Sequence, residues 1–119
     1  MSEMHDSANN IAYLLAEAAS GSGAKAALAI PASDSADVQV VSYAQLASAA
    51  AQVQRHVAAL GVERGDRVAL SMPNVALMPA LYYGIVAAGA ICVPLNPLLS
   101  GAELDYHLRD SGAKVLFAF

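Results

Sequence analysis

The sequence predicts an α/β protein whose mostly parallel sheet is preceded by a β-hairpin. Three observations predict it. Residues 66–119 alternate short apolar, strand-like runs with capped helical segments, giving two successive βαβ units and hence parallel strands with right-handed crossovers. Residues 26–42 hold two β-rich runs around a polar turn, the pattern of a hairpin. Capping serines and terminal glycines bracket the helices between these strands.

Taken in order, "NNIAYLLAEAAS" (9–20) reads as a first helix. Its expected inner face is Ile11, Leu14, Leu15 and Ala18, with Asn9 or Asn10 as the cap. Residues 1–8 read as a polar tail, and "GSGAK" after the helix as a flexible joint. "AALAI" (26–30) and "VQVVS" (38–42) are the hairpin strands, turned by "PASDSAD".

The second helix has the firmest signals. Ser42 and Gln45 form a capping box, in which each side chain serves the other's free backbone N–H. Leu46, Ala49, Ala50, Val53, Val57 and Leu60 line its apolar face, Gln45, Ser48, Gln52 and Arg55 line its polar face, and Gly61 ends it. After the turn "ERGD", residues 66–72 are a buried strand. Asn74 is the expected cap of an apolar helix over 75–88 that Gly89 ends. Pro79 inside it implies a bend or a start one turn later, because proline lacks the N–H the helix needs. "ICVPL" (91–95) is the next strand. Ser100 and Glu103 offer a second capping box for a helix closed by Gly112, with Asp105 and Arg109 spaced as an i,i+4 pair. "KVLFAF" (114–119) is the last strand.

Composition excludes several functions. Six basic and ten acidic residues leave a net charge of −4, and no basic run offers a nucleic-acid interface. No charged residue lies between Arg67 and Glu103, a stretch long enough to span a bilayer. Pro79, Gly84, Gly89 and Pro94 break it into a helix and a strand, so no transmembrane span is expected. The single cysteine, Cys92, excludes an internal disulfide and, with no secretory signal at the N-terminus, suits a reducing, cytoplasmic compartment.

Residues capable of chemistry are sparse. "GSGAKA" (21–26) matches G-x-G-x-x-A, but it follows a helix and precedes a strand, the reverse of a dinucleotide site. Glu103, Asp105 and Asp110 spread around a solvated helix instead of converging as an acid/base pair. His5, His56 and His107 lack metal-ligand spacing and read as surface residues. Cys92, without a basic neighbour in sequence, reads as a small core hydrophobe. Tyr82 and Tyr83 are adjacent on a helix, so at most one points squarely into the core. No catalytic, cofactor-binding or metal residue is therefore assigned.

Four ordered blocks carry a family likeness. "VSYAQL" (41–46), "GVERGDRVALSMPN" (61–74), "AAGAICVPLNP" (87–97) and "ELDYHLRDSGAKVL" (103–116) resemble the N-terminal part of adenylate-forming (AMP-binding) enzymes. The first and third look like two of the superfamily's core motifs, and "VPLNP" is closer to the acyl-CoA synthetases than to peptide-synthetase adenylation domains. The resemblance covers roughly residues 9–119. It implies that residues 1–119 are a single N-terminal subdomain fragment, the βαβ portion of a larger domain.

The resemblance also implies a carboxylate–CoA ligase as the parent protein. ATP, magnesium and a carboxylic or fatty acid would give an acyl-adenylate, and CoA would then take the acyl group. The superfamily's phosphate loop and catalytic lysine have no counterpart here, so this chain is expected to be inactive and to bind no cofactor. Some relatives use an arginine after Asn-Pro to hold CoA phosphate; here that residue is Leu98. Two alternatives stay open: a non-catalytic interaction or dimerisation module, and an adenylation domain serving a carrier protein. The last strand ends the sequence without a covering helix, whereas parallel strands are usually buried on both faces. Self-association through that exposed core face, weakened by Phe117→Asp, is the expectation that follows.

Overall fold

A helix without charged residues is stable in water only when every side of it is covered. The computed structural model, which describes residues 10–32 and 36–119, shows that covering. The elements are α1 (Ala12–Ser22), β1 (Ala26–Pro31), β2 (Val38–Ser42), α2 (Tyr43–Ala59), β3 (Arg67–Ser71), α3 (Leu77–Ala87), β4 (Ile91–Leu95), α4 (Gly101–Ser111) and β5 (Val115–Ala118). The apolar helix α3 lies between two clusters. On one side Ala80 and Ala87 meet Ala12 and Leu15 of α1 and Leu46, Ala47 and Ala50 of α2. On the other, Leu81 and Ile85 meet Val57 of α2 and Val68 and Leu70 of β3. Leu70, Ile85, Val57 and Val68 are the largest fully buried side chains. Each contributes roughly 1.5–3 kcal/mol by leaving water. Among the described residues no helix is long and apolar enough to cross a membrane. The uncharged run is a core helix.

The sheet has the order β4-β3-β5, and both pairings are parallel. Register aligns Val68 with Cys92 and Val115, and Ala69 with Val93 and Leu116. Because side chains alternate along a strand, Val68, Leu70, Cys92, Val115 and Phe117 share the face beneath α2 and α3. Ala69, Val93 and Leu116 point the other way. The hairpin β1–β2 is a separate antiparallel pair, with Ala29 opposite Val40 and an irregularity between Ala26 and Leu28. Ala32 N–H bonds to the Asp37 carbonyl across its turn. The middle of that turn, like Asn9 and His5, lies outside the described residues.

Most caps form as the residue types require. Ser42 and Gln45 make the reciprocal box. Gly112 closes α4 at φ 65°, a conformation that costs other residues more. Tyr82 joins the sheet-side cluster and Tyr83 the α1-side cluster, their rings 5.5 Å apart edge to face.

Five expectations need correction. Ile11 and Leu14 are 48 % and 63 % exposed, while Leu15 is buried as expected and Ala12 is buried beside it. Leu60 is exposed beyond the end of α2. The segment 21–25 is no loose joint: α1 continues through Ser22, and the Gly23 and Lys25 carbonyls accept the N–H groups of Ala44 and Tyr43. Asn74 does not cap α3, which starts at Leu77 after Ala76. This late start places Pro79 in the first turn, where its missing N–H would have had no helical partner. Ser100 Oγ accepts from Glu103 N–H at 3.3 Å and donates to the Glu103 carboxylate at 2.8 Å, so this cap lacks the return bond to the Ser100 backbone.

Candidate functional site

In open α/β sheets ligands bind beyond the carboxyl ends of the parallel strands. That end is formed here by the turns after β3 and β4 and by Phe119 after β5. After β3, Val75 N–H bonds to the Pro73 carbonyl in a tight turn, which leaves Asn74 exposed. After β4, Asn96 Oδ1 accepts from Leu98 N–H at 2.9 Å, and the Asn96 carbonyl accepts from Leu99 N–H. That arrangement fixes the loop and leaves Leu98 89 % exposed. An apolar groove of about 380 Å³ opens beside the first turn, between Leu28–Pro31 of β1 and Asn74, Val75, Met78 and Pro79. The turns themselves carry the uncharged polar side chains Ser71, Asn74 and Asn96, and the first turn of α4 beside them carries Glu103, whose carboxylate accepts from Ser100 Oγ at 2.8 Å.

Charge gathers at the opposite end. Asp66 Oδ2 accepts from Glu63 N–H at 2.7 Å and pairs with Lys114 Nζ at 3.1 Å. The Glu63 N–H, and secondarily Lys114, hold the Asp66 carboxyl below its usual value. Arg67 Nε donates to the Ser111 carbonyl at 2.7 Å and Nη1 to the Gly65 carbonyl at 3.2 Å. Backbone bonds from Gly65 to Gly89, from Ile91 to Asp66 and from Lys114 to Arg67 complete the seam. Asp66, Arg67 and Lys114 join strand starts to loops.

The remaining candidates behave as structural residues. Burial pushes the Cys92 thiol up to about 11, which leaves it protonated and unreactive at neutral pH. His56 is exposed, with its ring 6.4 Å from that of Phe117, and His107 lies 5.4 Å from Tyr106. Glu103, Asp105 and Asp110 are exposed on α4, where Arg109 Nε meets Asp105 Oδ2 at 2.9 Å. Among the described residues no group of three or more His, Cys, Asp or Glu could hold a metal ion.

One polar residue, Gln54, escaped the sequence reading, and Asn10, read there as a cap, has a further partner. Gln54, buried among the alanines of α2, donates to the Ala87 carbonyl at 3.2 Å. Asn10 Nδ2 donates to the Val86 carbonyl at 2.7 Å. Both bond to carbonyls in the last turn of α3, and the Val86 carbonyl also accepts from Gly89 N–H at 3.0 Å. The available signal was Gln54 itself, a polar side chain in phase with Ala47, Ala50 and Val57.

The chain matches the AMP-binding enzyme family over residues 3–118. It is 39 % identical over 107 residues to the long-chain-fatty-acid–CoA ligase FadD13 of Mycobacterium tuberculosis, covering 90 % of this chain and 20 % of that protein. It is 49 % identical over 57 residues to the long-chain-fatty-acid–CoA ligase of Escherichia coli O157:H7, covering 48 % of this chain and 10 % of that protein. In three dimensions it resembles the N-terminal domain of FACL13 from Mycobacterium tuberculosis, with a TM-score of 0.82 at 37 % identity over 90 % of this chain and 26 % of that one. It also resembles the N-terminal subdomain of NpsA from Klebsiella oxytoca, with a TM-score of 0.80 over 92 % of this chain and 27 % of that one. At 18 % identity that likeness concerns the fold alone. The chain thus spans about a fifth of FadD13 and a tenth of the E. coli ligase.

Proposed function

The chain belongs to the AMP-binding enzyme family, and from that premise we propose that it is the N-terminal structural portion of an ATP-dependent carboxylate–CoA ligase. The observation that carries this reading is the match to the FACL13 N-terminal domain across 90 % of the chain in both fold and sequence. The named relatives act on long-chain fatty acids, and a fatty acid is the proposed substrate class. In the reaction, a carboxylate oxygen attacks the α-phosphorus of ATP and pyrophosphate leaves. The CoA thiolate then attacks the acyl carbonyl, and AMP leaves. The described residues do not fit a magnesium site, and no step is assigned to one.

The role proposed for residues 1–119 is to supply three parallel strands and the core helix that orient the rest of such an enzyme. The rim at the carboxyl ends supports this role, because among the described residues its turns carry no basic side chain with which to handle a phosphate. A cytoplasmic site of action agrees with the substrates ATP and CoA and with one half-buried thiol.

The test uses the protein encoded by the full source reading frame, supplied with ATP, magnesium, a long-chain fatty acid and CoA. Acyl-CoA formation is the expected result. Acyl transfer to a carrier protein but not to free CoA would replace this reading with an adenylation domain. A reading frame that stops at Phe119 would favour the non-catalytic module.

A further inference from the structure

We draw no further inference here: the strongest candidate, the apolar groove of about 380 Å³ between β1 and the first turn of α3, lined by Leu28, Ile30, Val75, Met78 and Pro79 among others, is an unpartnered face in a chain that spans about a fifth of FadD13, and nothing in the structure shows what covers it.

Discussion

The amino ends and the carboxyl ends of the same three strands are built from different materials. At the amino ends Asp66, Arg67 and Lys114 are locked to one another's loops by side-chain and backbone bonds of 2.7–3.2 Å. At the carboxyl ends the turns close through Asn96 and the Pro73 carbonyl, with no charged side chain, and Leu98 projects into solvent. The difference teaches how to read charge in this chain. Asp66, Arg67 and Lys114 stand where strands must be held in register, whereas the turns at the end where α/β enzymes place ligands carry no charged side chain. A charge cluster found by sequence alone could have been mistaken for a site; the geometry makes it a clasp.

The largest effect that would sharpen the comparison is at Arg67. Arg67→Met removes bonds to the Ser111 and Gly65 carbonyls and unclasps α4 from β3, and it should cost about 2 kcal/mol in urea unfolding. Loss of less than about 0.5 kcal/mol would mean that the amino end is no clasp.

The next effect is read in pH. Asp66 has a folded-state pKa held below its usual 3.8, first by the Glu63 N–H and then by Lys114. The stability it contributes is therefore complete above about pH 4 and is lost as pH falls through the lower folded-state value. In acid titrations of the unfolding midpoint, Asp66→Asn should flatten this part of the slope. An unchanged slope would remove Asp66 from the clasp. The smallest effect belongs to the other end: Leu98→Ala should change stability by less than about 0.5 kcal/mol, as the same urea experiment would show.

Much of the fold was legible because local signals and burial agreed. The Ser42–Gln45 box, the αL glycine at 112 and the parallel strands each had a residue-level cause and appear where those causes place them. The apolar face of α1 was misjudged because periodicity cannot say which of two adjacent stripes meets the core. Leu15 is inside as periodicity placed it, Ala12 is inside because close helix packing suits a small residue there, and Ile11 and Leu14 are left outside. Gly84 reflects the same packing: a Cβ there would collide with Val53 and come within 2.8 Å of the Ala50 carbonyl. Asn74 looked like a cap, but the Pro73–Val75 turn and Pro79 set a later helix start. Gln54 was missed because its acceptor, Ala87, is 33 positions away. The site itself was not legible as chemistry, since the turns of the rim carry uncharged side chains.

The central proposal is that the clasp of Asp66, Arg67 and Lys114 holds the fold and carries no adenylation chemistry. Its most direct test is ATP–pyrophosphate exchange by the pure 119-residue chain with long-chain fatty acids and magnesium, set beside the same assay on Arg67→Met. The account predicts no exchange above background in either protein. Exchange by the unsubstituted chain that Arg67→Met abolishes, with the fold still intact by circular dichroism, would contradict it.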